Sequence, residues 1–226
     1  MDETLFDFKT AEYLGVQAFH RECGFPIHLT EDAFYSAWCS IGQFHFDRYL
    51  KGELSFPQLQ AERVKDVLKN YADISQITDQ EALEHYFIYL RNYENHWKAF
   101  QDVKPCLEKI IGHRRLGIIS NGDLTQQTSK LEKLGILNDF EIIVTSGDTG
   151  IAKPDKKIFE IACEKAGMEP DQCIYIGDNL KTDVLPCKEI GMKGIWLNRN
   201  GSSSSSDISN DIPAIESLNE LPAHII

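Results

Sequence analysis

The chain has 226 residues, more than one average domain and fewer than two full ones, which predicts a main domain with a smaller insertion. Hydrophobic residues make up 42% and charged residues 26%, and no apolar run approaches the length of a membrane span, so the composition argues against a membrane protein. The net charge of −12 argues against a nucleic-acid polymer as partner, because such partners select a basic surface.

The N-terminal part of the chain is predicted to be helical. The first residues, MDETLFDFK, lack the basic and apolar regions of a signal peptide, so a cytoplasmic location is expected. Four segments then place apolar residues at helical spacing, and several of them begin with a capping residue or a proline. The segments are residues 10–22, about 29–48, 55–71 and a fourth that begins near residue 78.

From about residue 100, short apolar runs alternate with helices. After a helix at 103–111, strands are predicted at 116–119, 141–145, 173–176 and 194–197, separated by helices at 124–134, 155–165 and 183–190. This succession is typical of an α/β domain with a parallel sheet. Gly201 and the five serines after it predict a mobile surface loop.

The six cysteines show neither CxxC pairing nor the density of a disulfide-stapled secreted protein. No activating partner can be assigned to any of them, so they are predicted to be reduced, mostly buried and structural. They are Cys23, Cys39, Cys106, Cys163, Cys173 and Cys187.

Residues 174–183, IYIGDNLKTD, combine a predicted buried strand with two carboxylates. Gly177 allows a sharp turn, and Asp178 follows at the carboxyl end of the strand, where open α/β sheets place their ligand sites. Asp183 comes next, and two carboxylates 4 Å apart repel by about 4 kcal/mol at an effective dielectric constant near 20. A cation must therefore share the site, and Mg2+ is the natural hard divalent candidate.

Polar groups occur at four places, each at a predicted strand end or just before a predicted helix. The hydroxyl of Ser120 comes with backbone N–H groups ahead of a helix, a suitable cradle for phosphate oxygens. Lys153 precedes Pro154 and a helix, which would leave its ammonium beside a helix N-terminus. The groups in chain order are Asp2, Ser120 with Asn121, Lys153, and Asp178 with Asp183.

The runs DETLF, IISNG, GIAKPDKKIF and IGDNLKTD together resemble, in this order, the four motifs of the haloacid dehalogenase (HAD) superfamily. The combination looks most like the subgroup with pyrimidine nucleotidases and N-acylneuraminate phosphatases. The resemblance implies a doubly wound, Rossmann-like α/β core at residues 1–9 and 101–226, with an α-helical cap at 10–100. A receiver domain is disfavoured because its acidic pair precedes the hydroxyl and the lysine.

The resemblance implies a Mg2+-dependent phosphatase that forms an aspartyl-phosphate. One aspartate attacks the phosphorus, and a second, two positions later, protonates the leaving oxygen and then activates water. Asp2 matches the second aspartate. Ser120, Asn121 and Lys153 would hold and neutralise the phosphoryl group, which also makes Lys153 a candidate catalytic residue.

The implied cofactor is Mg2+. Asp178 and the backbone carbonyl of Asp2 would bind the ion. Asp183 has two open roles, as a further acidic partner at the metal or as an anchor for Lys153. The paired carboxylates favour phosphate chemistry over dehalogenation.

The sequence begins inside the first motif, Asp-x-Asp-x-Thr, with Met1 at the middle position. The nucleophilic aspartate and the strand before it are therefore outside these residues. By resemblance that strand lies between the strands ending at Ser120 and Ile176, so its absence leaves two inward edges unpaired. Two interpretations stay open: a longer form is an ordinary phosphatase, or the chain is a catalytically inactive HAD-fold protein that binds a phosphorylated ligand. The retained site groups favour the first.

The helical segment also holds candidate substrate contacts. A cluster of aromatic and cationic residues at 44–49, with Arg63, could meet the base or sugar of the substrate, and an aromatic core with exposed arginines is the alternative. A small phosphomonoester, either a nucleoside monophosphate or a sugar phosphate, is the expected partner, and a monomer is expected. The contact candidates are His45, Arg48 and Arg63.

Overall fold

The computed structural model describes residues 1–24, 26–201 and 212–225. The predicted serine-rich loop, apart from Gly201, lies outside the described residues. Two compact units are present: an α/β unit made of Met1–Asp7 and Ala99–Ile226, and a helical unit, Phe8–Lys98. Across the described part of the chain, no helix is long and apolar enough to cross a membrane.

The helical unit contains four helices: α1 (Phe8–Glu22), α2 (Glu31–Leu50), α3 (Phe56–Tyr71) and α4 (Asp79–Asn95). The side chains of Thr30, Ser55 and Thr78 accept from backbone N–H groups of the first turn of α2, α3 and α4, and the last two form capping boxes. All four predicted helices are present, with α1 beginning two residues earlier and α2 about two residues later than expected.

Arg63 lies inside the helical unit, although it is charged. Its guanidinium donates to Glu12 Oε1 at 3.0 Å and to the Trp38 carbonyl oxygen at 3.1 Å, and it stacks 4.4 Å from the Trp38 ring. A Cβ at Gly42 would collide with the guanidinium, so the glycine makes room for it. The Arg63–Glu12 ion pair is shielded from water, so removing either charge would leave the other buried without a partner.

We expect Arg63→Met to destabilise the helical unit by about 3 to 5 kcal/mol, because it leaves the Glu12 carboxylate buried without its cation. Arg63→Met combined with Glu12→Met should regain most of that loss. The measurement is hydrogen exchange of amides in α1 and α3. The matched control is Arg91→Met, since the Arg91–Glu22 pair is half exposed and should contribute at most about 1 kcal/mol. Equal effects of the two single substitutions would contradict a structural role for Arg63.

The α/β unit alternates strands and helices along the chain, as predicted. The strands are β1 (Gly117–Ser120), β2 (Ile142–Thr145), β3 (Ile174–Gly177), β4 (Lys193–Leu197) and β5 (Ala214–Ile215). The helices are α5 (Val103–Ile110), α6 (Leu124–Leu134), α7 (Ser146–Thr149), α8 (Lys157–Ala166), α9 (Leu185–Glu189) and α10 (Pro222–Ile225).

In the α/β unit, two predicted helix starts are wrong by two residues. The helix expected from residue 155 begins at Lys157, because Asp155 forms a turn in which its carboxylate accepts from the Lys157 N–H at 2.9 Å. The helix expected from residue 183 begins at Leu185, because Leu180–Val184 forms one wider π-helical turn. The short elements β5, α7 and α10 were not predicted.

All strand pairs are parallel, but within the described residues they form two separate sheets. β1 pairs with β2, with Gly117 opposite Ile142. β4 lies between β3 and β5, with Ile174 opposite Lys193 and Trp196 opposite Ala214. This division agrees with the expected unpaired edges of β1 and β3.

The two sheets share one hydrophobic core. Ile119 from β1, Val144 from β2 and Tyr175 from β3 belong to a single buried cluster. Two cavities, of about 420 and 130 Å³, lie beside β1 and β3, and Ile118, Ile119 and Ile174–Ile176 line both of them. A groove with apolar walls therefore runs between the two sheets.

The six cysteines are free, and four of them are buried, as predicted. Burial raises the pKa of Cys187 to about 12, and the nearby Asp183 adds to the effect. A thiol with a raised pKa is a poor nucleophile near neutral pH. The structure therefore supports structural roles for the buried cysteines.

Candidate active site

The predicted site residues of the α/β unit are linked by hydrogen bonds near the carboxyl ends of β1 and β3. Thr4 donates from its hydroxyl to Asp178 Oδ1 at 3.1 Å, which connects the first predicted motif to the last. Asn121 contacts the Lys153 backbone, which connects the second motif to the third. Lys153 contacts Asp183, which connects the third motif to the fourth. Residues more than 170 positions apart in the sequence thus meet at one edge.

Lys153 and Asp183 form a buried ion pair. Lys153 Nζ lies 2.6 Å from Asp183 Oδ1 and 3.1 Å from the Tyr175 hydroxyl, and Asp183 Oδ2 accepts from the Asn179 N–H at 3.1 Å. Burial alone would lower the pKa of Lys153, but Tyr175 and Asp183 outweigh burial and hold the pKa above its usual value. Of the two roles left open for Asp183, the geometry is that of an anchor for Lys153.

Gly177 makes room for this ion pair. A Cβ at position 177 would lie 2.5 Å from Asp183 Oδ2 and Cβ, closer than atoms normally approach. The glycine therefore allows the carboxylate of Asp183 to approach the strand end closely. The Lys153 ammonium binds the carboxylate of Asp183, and its position beside a helix N-terminus stays a prediction.

Asn121 is fixed by the backbone of Lys153. Its Nδ2 donates to the Lys153 carbonyl oxygen at 2.8 Å, and its Oδ1 accepts from the Lys153 N–H at 2.7 Å. The Gly122 N–H, one candidate for the phosphate cradle, donates to Ser146 Oγ at 2.8 Å. Asn121 therefore orients Lys153, and a direct contact between Asn121 and phosphate stays a prediction.

Asp2 contacts two residues of α6. Lys130 Nζ lies 2.8 Å from Asp2 Oδ1, and Gln127 Nε2 donates to Asp2 Oδ2 at 3.3 Å and to Ser120 Oγ at 3.0 Å. Burial alone would raise the pKa of Asp2, but Lys130, together with the N-terminal ammonium and Gln127, outweighs burial and lowers the pKa. Gln127 thus bridges the predicted acid–base residue and the predicted phosphate-binding hydroxyl.

Gln127 and Lys130 were missed by the sequence analysis, although a signal for them exists. They share the buried face of α6 with Leu131 and Leu134. Their positions follow the i, i+3, i+4, i+7 spacing of a helix that packs on a core. A lysine and a glutamine on such a face require buried polar partners, which here are Asp2 and Ser120.

Asp178 differs from the other two predicted carboxylates in its partners. Asp2 pairs with Lys130 and Asp183 pairs with Lys153, whereas among the described residues no lysine or arginine forms an ion pair with Asp178. Burial raises the pKa of Asp178, and although the N-terminal ammonium of Met1 opposes the rise, Asp183 adds to it. A partly buried carboxylate in this state would be stabilised by a cation.

The described residues contain no cluster of three or more His, Cys, Asp or Glu side chains that could hold a metal by themselves. Mg2+ does not need such a cluster, because it usually binds one or two carboxylates and fills its other positions with water and substrate phosphate. Asp178 fits that arrangement. As positioned here, the carboxylates of Asp2 and Asp183 are held by lysines.

The predicted substrate contacts in the helical unit all bond within that unit. His45 is buried and lies 2.8 Å from Asp66 Oδ2, and Arg48 contacts both His45 Nδ1 and Glu53 at 3.3 Å. Arg63 lies in the core, as described above. These contacts support a packing role for His45 and Arg63, while substrate binding stays a prediction for all three.

The structure defines a Rossmann-like α/β protein with basic and acidic groups gathered where its parallel strands end. A family model described as a haloacid dehalogenase-like hydrolase matches residues 1–191. The chain therefore belongs to the haloacid dehalogenase-like hydrolase family, which confirms the resemblance carried by its four motifs.

Curated relatives match part of the chain. It is 32% identical over 145 residues to N-acylneuraminate-9-phosphatase from Homo sapiens, a match that covers 63% of this chain and 58% of the human protein. It is 36% identical over 117 residues to the pyrimidine 5'-nucleotidase YjjG from Escherichia coli, covering 51% of each. The matches thus span a little over half the length of these relatives.

A solved structure matches the whole chain. The HAD-hydrolase YfnB from Bacillus subtilis, described as bound to magnesium, matches with a TM-score of 0.80 and 24% identity, covering 100% of this chain and 95% of that one. At this identity the match shows the fold alone. It confirms the predicted Rossmann-like HAD core.

We expect Lys153→Met to destabilise the α/β unit by about 3 to 5 kcal/mol, because it leaves Asp183 buried without a cation. In a double-mutant cycle with Asp183→Asn, the coupling should be about 1 to 3 kcal/mol, measured by hydrogen exchange of β1 and β3 amides. Lys165→Met is the control, since its pair with Asp148 is exposed. Additive effects of Lys153→Met and Asp183→Asn would show that the two groups act independently.

Proposed function

We propose that this chain supplies most of the active site of a Mg2+-dependent phosphatase that hydrolyses a small phosphomonoester. The observation that carries the proposal is the convergence of Asp2, Ser120, Lys153 and Asp178, drawn from four separate motifs, at the carboxyl ends of β1 and β3. Such convergence has little structural purpose without a ligand. Relatives named as phosphatases and nucleotidases support the reaction class.

Lys153 and Ser120 hold the phosphoryl group in this proposal. The ammonium of Lys153 stays charged because its pKa is raised, so it can stabilise negative charge that develops during transfer. Asp183 binds the ammonium of Lys153 and Asn121 binds its backbone, and together they fix where that charge lies. Preorganised charge of this kind needs no rearrangement during the reaction.

Asp2 acts as the general acid and base. It gives a proton to the leaving oxygen of the substrate and later takes one from water. Lys130 and Gln127 orient its carboxylate beside Ser120. Asp178 would bind Mg2+, which when present neutralises phosphate charge and orients the phosphoryl group.

The proposed nucleophile is an aspartate two positions before Asp2, on a strand that fills the groove between β1 and β3. The supporting observations are the two cavities, the unpaired edges of β1 and β3 and the position of Met1 in the wall of the smaller cavity. A parallel strand there would pair with both edges and end beside Ser120 and Lys153. Its side chains would be apolar on both faces, because both sides of the sheet are covered.

The substrate class is a nucleoside monophosphate or a sugar phosphate. What the relatives are named for supports this class. The helical unit as a cap, a monomeric state and a cytoplasmic location stay predictions.

The decisive experiment restores the proposed strand. Four apolar residues, the length of β1 and β3, followed by an aspartate are placed before Met1, which creates Asp-Met-Asp. We expect this extended chain to hydrolyse an aryl phosphate in the presence of Mg2+, and chelation of the metal should abolish turnover. Asp178→Asn should lower kcat at least about 100-fold.

The matched control carries the same extension ending in asparagine, which fills the groove but offers no nucleophile. Turnover by the aspartate form alone supports the proposal. If both extended chains fold and bind inorganic phosphate without turnover, the alternative function holds, in which the chain is a HAD-fold protein that binds a phosphorylated ligand without catalysis.

A further inference from the structure

Arg199 has no place in the four motifs, yet it uses its whole guanidinium in the α/β unit. It follows β4 and donates from Nε to the Glu3 carbonyl oxygen at 3.2 Å and from Nη2 to the Thr4 carbonyl oxygen at 2.7 Å. It also forms a two-pronged pair with Asp102, at 2.8 and 3.0 Å. Its guanidinium carbon lies 3.9 Å from the centre of the Phe100 ring.

Asp102 is equally well bound. Besides Arg199, its Oδ2 accepts from the Ser217 hydroxyl and from the Leu218 N–H, both at 2.8 Å. Burial alone would raise the pKa of Asp102, but the hydrogen bonds from Arg199, Ser217 and Leu218 outweigh it and lower the pKa. The Arg199–Asp102 pair therefore ties the N-terminal segment to the start of α5 and to the C-terminal segment.

The N-terminal segment needs external support because its backbone is tightly wound. Glu3 has a φ of 56°, in the left-handed region that side chains other than glycine seldom adopt. The N–H groups of Thr4, Leu5 and Phe6 all converge on the Met1 carbonyl oxygen, at 3.2, 2.8 and 3.2 Å. A turn of this shape directs the carbonyls of Glu3 and Thr4 to one side, where the Arg199 guanidinium donates hydrogen bonds to both.

The turn fixes two site groups on its other side. The carboxylate of Asp2 contacts Lys130 and Gln127, and the hydroxyl of Thr4 donates to Asp178. A rotation of the Glu3 and Thr4 peptide groups would displace both Asp2 and Thr4 from these partners. The orientation of the acid–base residue therefore depends on what holds the turn.

We propose that Arg199 is the positioning residue for Asp2 and Thr4, and that Asp102 in turn orients Arg199. This rests on the proposed function in so far as Asp2 is the acid–base group. Arg199 does not touch the phosphoryl group; it acts through the backbone carbonyls of the turn. A lysine cannot replace it, because one ammonium cannot bind two carbonyls and both oxygens of a carboxylate in a plane.

The first test uses the extended chain that ends in aspartate. Arg199→Lys should lower kcat by about 100-fold with KM changed by less than about threefold, because Asp2 is displaced while Ser120 and Lys153 are untouched. If Arg199 affected stability alone, activity would fall only in proportion to the folded fraction. The kcat of the folded molecules would then stay unchanged. No change in kcat would overturn the proposal.

The matched control is Arg115→Lys. Arg115 also pairs with a carboxylate, Glu141, at 2.8 Å and donates to a backbone carbonyl, that of Ala166, at 2.9 Å. It makes these contacts away from the turn, so its conservative replacement should leave kcat within about twofold. An equal loss of kcat in both variants would overturn the specific role of Arg199.

A second test does not depend on turnover. In the 226-residue chain, Arg199→Lys should speed hydrogen exchange of the Thr4, Leu5 and Phe6 amides at least about tenfold, with exchange in β1 and β4 unchanged. If the variant does not fold, Asp102→Asn should show the same local pattern. Unchanged exchange in the turn would overturn the proposal, whereas a catalytically silent extended chain with faster exchange would overturn the proposed function alone.

Discussion

The α/β unit depends on contacts that join two sheets with no described strand between them. The buried pair of Lys153 and Asp183 connects the segment after β2 to the segment after β3. Tyr175 adds a second connection from β3, because its hydroxyl lies 3.2 Å from the Ile119 carbonyl oxygen of β1. Side chains thus supply part of the connection that backbone hydrogen bonds give within a continuous sheet, and they place the charged groups of the site at the same edge.

Charged groups can lie close together at this edge because they neutralise one another in pairs. Asp2 and Asp183 each pair with a lysine that is almost fully buried, and these pairs are stable in the low-dielectric interior only because each charge has its partner. Asp178 is the exception among the three carboxylates, since its described side-chain partner is the neutral hydroxyl of Thr4. A cation bound at Asp178, such as the proposed Mg2+, would give this carboxylate a charged partner as well.

Membership of the HAD-like hydrolases explains the order of the site groups, and the structure adds how they are held. Three layers of contact surround Asp2: Lys130 and Gln127 at its carboxylate, the turn that carries it, and Arg199 with Asp102 behind that turn. Lys153 is held in a similar way, by Asn121 at its backbone and by Asp183 at its ammonium. Met1 and Thr4 line the smaller cavity between β1 and β3, so filling the groove and completing the site are one structural event in our proposal.

The sequence alone determined the family, the parallel α/β pattern and the candidate residues, because strand ends, capping residues and motif order are local features that the neighbouring residues set. It also predicted the unpaired edges, through the resemblance. The tertiary structure decided what local patterns do not contain: that Asp183 binds Lys153, that Asn121 holds a backbone, that Arg63 and His45 pack inside the helical unit, and that Lys130, Gln127 and Arg199 support Asp2. The physical reason is that a buried charge is stable only with a partner, and the partners here lie from 21 to 196 positions away along the chain.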